Sequence, residues 1–167
     1  MPSDKEDIKE ENQSQVAASK AITILIDENN TLYYFKGKPD GGTDIPNEGK
    51  LFATTYGKNG LRKVLLESNP QAVKAVQALK DKYARMVTSN VQQEQKQKAQ
   101  FKEELNKIKN AEYTPSVIIK ASDKATYDNL IQVLDEMQIC SIGRYVIDKF
   151  ADGDRLKIEA LKNGTAQ

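Results

Sequence analysis

The sequence predicts an α/β domain that carries a long helical segment. Residues 116–150 have the pattern of a strand, a helix and a second strand, and residues 21–37 contain two β-branched or aromatic runs around an Asn-rich turn. Between Gln71 and Thr114 there is no Gly or Pro, which favours helix throughout that stretch. For a chain of 167 residues, one domain with extensions is the expected organisation.

The composition permits a modest core and excludes several classes of function. Hydrophobic residues make up 38% of the chain and charged residues 29%, and the net charge of +1 favours neither nucleic acid nor an anionic membrane as a bulk partner. There is no histidine, so the Ser-His-Asp and Cys-His catalytic sets are excluded and the commonest zinc ligand is missing. We therefore expect no enzymatic activity, no cofactor and no nucleic-acid partner.

The composition of residues 1–19 predicts a flexible linker. Their acidic side chains outnumber the lysines and large aliphatic side chains are few, so the segment cannot bury enough surface to offset its chain entropy. No run in the chain reaches the roughly 18 apolar residues that span a bilayer, and residues 1–12 lack the apolar stretch of a signal peptide. The sequence as it stands is therefore expected to be soluble.

The first half of the domain predicts a β-hairpin followed by a loop-rich stretch. Residues 21–27 and 31–37 are rich in strand formers and flank the turn Glu28-Asn29-Asn30. Residues 37–60 contain six glycines and two prolines, which is typical of a loop, with one further short strand expected within residues 51–56. A short helix is expected over residues 60–69.

The segment at residues 70–112, here called the arm, is predicted to be helical. Asn69 suits an N-cap and Pro70 suits the first helical position. Apolar side chains recur at helical spacing on both sides of residues 88–90, so the pattern fits either one long helix or a helical hairpin hinged there. Nine Lys and Arg against five Asp and Glu make this arm basic. Contact with a membrane surface or a partner is one interpretation, and a solvated helical face is the favoured one.

The C-terminal part predicts two parallel strands joined by a helix. Residues 117–119 are typical of a buried strand, Thr126 can cap the following helix, and residues 142–150 are typical of the next strand. Such a unit favours a right-handed crossover. A short strand or helix is expected around residues 156–161. The apolar face of the helix is predicted to comprise Tyr127, Leu130, Ile131, Leu134 and Met137.

Little in the chain points to chemistry. Cys140 is the only cysteine and has no histidine to activate it, so a small buried hydrophobic side chain is expected. Asp152-Gly153-Asp154 resembles a fragment of a calcium loop but lacks the closing glutamate, which favours solvated carboxylates in a turn. Residues 37–50 lack the spacing of a phosphate-binding loop.

Five short motifs between residues 119 and 143 occur in an order that is typical of one family. They are Ile119-Lys120-Ala121, Asp123-Lys124, Tyr127, Val133-Leu134-Asp135 and Ile142-Gly143. This order resembles the C-terminal periplasmic domain of the ExbD/TolR family, most closely its ExbD-type members from Bacteroidota. Ser122 is an extra residue in the pattern. Met1-Pro2 is similar to the end of the motif that follows the family's membrane helix.

The resemblance implies an α+β arrangement, in which helices pack on one face of a small mixed sheet. It implies a periplasmic linker at residues 1–19, an ExbD/TolR-like domain at 20–155 with its insertion at 70–112, and a tail at 156–167. Full-length members carry one transmembrane helix whose aspartate takes part in proton conduction, and this chain is expected to begin just after that helix. The expected location is the periplasmic side of a single-pass inner-membrane protein, which contacts the membrane only through that helix.

The resemblance also implies a function through protein contacts. The chain is expected to form a homodimer and to pass motion from an ExbB-like motor to a TonB-like protein, whereas TolR relatives contact peptidoglycan and serve envelope integrity. A proline at Val146 is expected to abolish docking. Two other classes stay open, a soluble adaptor and an enzyme that uses Asp123 and Lys120. The expected docking edge comprises Ile142, Arg144, Tyr145, Val146, Ile147 and Phe150.

Overall fold

The architecture is a mixed sheet with helices, as the sequence predicts. The computed structural model describes residues 20–38 and 47–164, so the predicted linker at 1–19 lies outside the described residues. The described elements are β1 (Ala21–Ile26), β2 (Leu32–Lys36), β3 (Phe52–Thr54), α1 (Leu61–Glu67), α2 (Pro70–Ala84), α3 (Val91–Lys109), β4 (Ser116–Ala121), α4 (Tyr127–Ile139), β5 (Tyr145–Lys149) and α5 (Asp152–Lys162). The predicted fold class is confirmed.

The sheet is built around β1, the first strand of the described residues. Its order is β3-β2-β1-β4-β5, with β1 antiparallel to β2 and parallel to β4, and with β5 parallel to β4. Asn29 and Asn30 adopt φ values of 59° and 61°, a conformation that asparagine tolerates and that tight hairpin turns require. The predicted hairpin and the parallel strand–helix–strand unit are therefore both present.

Both faces of the sheet carry a core. Because side chains alternate along a strand, Ile22, Ile24 and Ile26 pack on one face with side chains of α1 and α4. Leu25 packs on the other face with Tyr33, Phe35 and Ile158 of α5. The expectation that helices lie on one face only is therefore incomplete, since α5 covers the second face. The domain boundary expected at residue 155 falls inside this packed helix.

A buried charge cluster attaches α5 to the sheet. Asp27 directly follows β1, is 0% exposed, and accepts hydrogen bonds from Arg155 at 2.7 and 3.0 Å and from the Ser122 hydroxyl at 2.6 Å. Burial alone would raise the pKa of Asp27, but the hydrogen bonds from Arg155 and Ser122 outweigh it and lower the pKa to about 2. Beside it, Lys120 lies 3.2 Å from Asp154. Asp154, expected to be solvated, is buried because it forms this pair and accepts from the Ala151 amide.

The insertion folds as a helical hairpin, which excludes the single long helix. Helices α2 and α3 pack together, and the rings of Tyr83 and Phe101 meet edge to face with centroids 5.2 Å apart. The Asn90 side chain accepts from the Gln93 amide at 2.8 Å and so caps α3, which stabilises the break between the helices. Asn69 occupies the N-cap position of α2, but its side chain donates to the Cys140 carbonyl at 3.1 Å instead of capping.

Helix α4 begins as predicted, and Leu130, Leu134 and Met137 of its predicted apolar face pack in the core, whereas Tyr127 does not. The Thr126 hydroxyl accepts from the Asn129 amide at 3.1 Å and caps the helix. Tyr127, predicted on the apolar face, is 75% exposed. In this first turn of the helix the buried residue is Asn129, whose side chain donates to the Asn30 side chain at 2.8 Å. The start of α4 therefore packs on the polar hairpin turn, and Val133 and Met137 reach the core further along.

Replacing Arg155 by alanine tests the buried charge cluster. We expect the free energy of unfolding to fall by about 3 kcal/mol, because the change leaves a buried carboxylate without its main partner. Urea denaturation followed by circular dichroism measures this loss. Lys162→Ala removes an exposed cation from the same helix and should cost less than about 0.5 kcal/mol. Equal losses for the two variants would contradict the role given to Arg155.

The free energies of unfolding of the wild-type and Arg155→Ala proteins should become more similar in acid. The folded-state pKa of Asp27 lies below its usual 3.8, so its stabilising effect is complete above about pH 4 and is lost as the pH falls toward 2. Protonated Asp27 no longer needs the guanidinium, so the difference in unfolding free energy should shrink over that range. A difference that stays constant from about pH 5 to about pH 2 would show that Asp27 is not the linked group.

Candidate partner-binding edge

Strand β5 presents free backbone groups along one side. Within the described residues it pairs only with β4, and the Val117 amide donates to the Arg144 carbonyl at 2.8 Å while Val117 lies opposite Tyr145. In a parallel ladder this register turns the amide and carbonyl of Val146 toward β4, and those of Tyr145 and Ile147 outward. A further strand can pair with the outward groups.

The centre of β5 is apolar and exposed. Val146 and Ile147 are 58% and 56% exposed, and as neighbours in a strand they point to opposite faces of the sheet. Single exposed aliphatic side chains are ordinary on protein surfaces. Two exposed aliphatic side chains on an edge strand are unusual, because edge strands are usually protected by charged side chains. In β5 the charged Asp148 and Lys149 lie only at the end of the strand.

The structure narrows the predicted edge. Strand β5 occupies Tyr145–Lys149, whereas residues 142–150 were expected to form it. Ile142 is 1% exposed and belongs to the core, and Arg144 donates to the Ala111 carbonyl at 3.4 Å. Phe150 packs with the α5 side of the core and stacks under Arg155, whose guanidinium lies 5.0 Å from the ring centre. Of the six expected residues, Tyr145, Val146 and Ile147 lie in the strand.

The residues of the family motif do not converge on one site. Asp123, Tyr127 and Asp135 are all exposed; Asp123 precedes α4, and the other two lie on it. Gly143 lies at the other end of the unit, where its amide donates to the Lys109 carbonyl at 3.0 Å. The motif is therefore spread over the surface and the base of the arm.

Gly143 is the point where the arm meets the sheet. A Cβ at this position would lie 2.9 Å from the Asn110 Oδ1, 3.0 Å from the Lys109 Cβ and 3.2 Å from the Lys109 carbonyl oxygen. Lys20, just before β1, donates to the Glu112 carbonyl at 2.8 Å at the same base. The arm is thus attached at the end of the sheet where β1, β4 and β5 begin.

The base of the arm also forms a cleft that sequence reasoning missed. Its volume is about 320 Å³, and it is lined by two lysines, a serine and a tyrosine together with three apolar residues. No sequence signal marks this cleft, because its residues come from four separate segments of the chain. The lining residues are Lys20, Ala21, Ile22, Lys36, Ser68, Tyr113 and Pro115.

The two residues considered for an enzyme, Asp123 and Lys120, do not pair with each other. Lys120 pairs with Asp154 instead of Asp123, which is exposed. Cys140 is buried, and burial together with the nearby Glu136 raises the pKa of its thiol to about 12, which keeps it protonated at neutral pH. Residues 20–38 and 47–164 contain no group of three or more acidic or cysteine side chains that could hold a metal ion.

Comparisons with known proteins identify one family. A model of the family described as biopolymer transport protein ExbD/TolR matches residues 2–151. Searches of curated proteins and of solved structures find no match. Among the helices of the described ranges, none has the length and apolar character needed to cross a membrane.

A pair of glycine substitutions tests the anchor of the arm. Gly143→Ala should lower the free energy of unfolding by about 1–2 kcal/mol, because its Cβ forces the base of the arm to shift. Gly153→Ala, in α5, meets no atom within 4 Å and should raise it by about 0.5 kcal/mol, since alanine loses less chain entropy in a helix. Thermal denaturation of both variants measures the contrast. A neutral Gly143→Ala would show that the base tolerates a side chain.

Proposed function

This chain belongs to the ExbD/TolR family, and we propose that it acts as the periplasmic coupling domain of an ExbD-like motor subunit. Membership gives a role in energised biopolymer transport or in the cell envelope. Within that range, the proposal is a non-enzymatic domain that forms a homodimer and transmits motion from an ExbB-like motor to a TonB-like protein.

The observation that carries the proposal is the unpaired edge of β5. Its outward backbone groups at Tyr145 and Ile147 and its exposed aliphatic side chains suit pairing with a strand of a second copy or of a partner. A strand added there extends the sheet without rearranging its core. The geometry therefore supports recognition through the backbone, which is suited to a partner segment in extended conformation.

The sheet also suits a mechanical role. Load entering from residues 1–19 reaches β1, which pairs with β2 over five residues and with β4 over six. Force along β1 is shared by both ladders, because strands that slide past each other must break many hydrogen bonds together. Load can then pass across β4 to the docking edge at β5. In this proposal residues 1–19 connect the domain to the inner-membrane motor.

The edge is tested by a proline at an outward-facing position. Ile147→Pro removes an amide that points away from β4, so it should leave the monomer folded and weaken dimerisation about tenfold or more. Sedimentation equilibrium measures the dimer, and circular dichroism confirms the fold. The proline at Val146 expected from sequence is a poor probe, because that amide faces β4 and its loss would disrupt the domain itself.

The matched control replaces an exposed aliphatic side chain away from the edge. Leu156 is 65% exposed on α5, and Leu156→Ser should leave the dimer dissociation constant unchanged. Unaltered dimerisation of a folded Ile147→Pro variant would mean that β5 is not the interface. Equal weakening by Leu156→Ser would move the interface to α5.

The cleft at the base of the arm favours a second candidate, a TolR-like contact with peptidoglycan. Lys20 and Lys36 line the cleft together with apolar residues and Tyr113, and the Lys20 ammonium also donates to the Glu112 carbonyl. Such a site fits the carboxylates and short side chains of a peptidoglycan stem peptide. This role would serve envelope integrity, without a TonB-like partner.

Sedimentation with isolated peptidoglycan separates the two candidates. If the TolR-like role holds, the chain should pellet with the polymer, and Lys36→Gln should reduce the bound fraction about threefold to tenfold by removing one charge–carboxylate contact. Lys63→Gln changes an exposed lysine on α1, outside the cleft, and should have no effect. A chain that stays in the supernatant contradicts the second candidate and leaves the first.

A further inference from the structure

The tip of the helical arm exposes aliphatic side chains. Met86, Val87 and Val91 are 41%, 92% and 66% exposed, at the turn between α2 and α3. Val87 is the most exposed of the large apolar residues among the described part of the chain. Further down the arm, by contrast, Val76 and Leu79 of α2 are buried and the ring of Tyr83 contacts that of Phe101.

Positive charge is concentrated around the same tip. Residues 80–98, here called the arm tip, contain five basic and two acidic side chains, whereas the rest of the arm contains four basic and three acidic ones. Among the described residues Lys80, Arg85 and Lys96 form no ion pair within 4.0 Å, while Lys98 pairs with Glu94 and Lys82 with Glu104. The tip therefore combines a net positive charge with exposed aliphatic groups.

We propose that the arm tip docks on an anionic phospholipid surface. Aliphatic side chains at a turn can enter the headgroup layer while neighbouring cations remain with the phosphates. A folded protein partner usually offers or receives a groove. A cleft of about 220 Å³ lies beside Tyr83 and Phe101, and its lining does not include Met86, Val87 or Val91. Exposed aliphatic side chains with a net positive charge around them suit an anionic bilayer surface.

The position at which the arm joins the domain would hold the arm tip near the membrane. Lys20 donates to the Glu112 carbonyl, so the base of the arm and the first described residue lie at the same end of the domain. If residues 1–19 connect the domain to the membrane, a step that rests on the proposed function, the tip is held near the bilayer at high effective concentration. A weak contact is then sufficient to orient the domain and its β5 edge.

Vesicle sedimentation tests the inference with the full chain. We expect binding to vesicles of phosphatidylcholine mixed with phosphatidylglycerol, less binding as salt rises, and none to phosphatidylcholine alone. Val87→Asp and Arg85→Glu should each weaken binding about tenfold, because each adds negative charge at the tip and the first also removes an aliphatic group. Both positions are exposed, so both variants should fold.

The matched control is Leu156→Asp, which makes the same kind of change on α5, away from the arm. It should bind vesicles as well as the wild-type chain, apart from the small effect of one net charge. Absence of binding to the anionic vesicles would overturn the inference and leave an acidic protein surface as the occupant. Equal binding by wild type, Val87→Asp and Arg85→Glu would overturn it too. Dimerisation through β5 is measured without lipid, so either result leaves the proposed function to its own test.

Discussion

The buried carboxylate of Asp27 is the constraint around which the domain is organised. A charge that is fully removed from water at the end of the central strand must be matched, and it is matched by groups from two other elements. Ser122 comes from the end of β4, and Arg155 comes from α5. The single carboxylate thereby joins β1, β4 and α5 where the parallel strands end. Lys120 and Asp154 repeat the same connection between β4 and α5.

The two ends of the sheet differ in the contacts that they make. The end where the parallel strands finish is closed by ion pairs and by the packing of Ile158 on the second face. The end where they begin carries the chain entry at Lys20 and the base of the arm at Gly143. Among the described residues, no strand pairs with the outer side of β5. Stability is thus concentrated at one end, and the groups available for contact lie at the other end and along the edge.

The structure gives a physical reason for only some residues of the family motif. A Cβ at Gly143 would crowd Lys109 and Asn110, which would have to shift to admit it. Ser122, which departs from the motif, provides the hydroxyl that binds the buried Asp27. Asp123, Tyr127 and Asp135 are exposed, which is the state expected of residues that contact a partner, but none of them lies on β5. The candidate edge therefore rests on backbone geometry and not on the motif.

The sequence alone determined the elements and the family, because both depend on local information. Strand formers around Asn29 and Asn30, the Thr126 cap and the apolar run in β4 predict their structures through short-range preferences. Tertiary structure decided which alternatives were realised. The hairpin form of the arm, the burial of Asp154, the position of α5 on the second face and the limits of β5 all depend on contacts between distant residues. Those contacts arise from burial and charge pairing, which spacing along one chain does not encode.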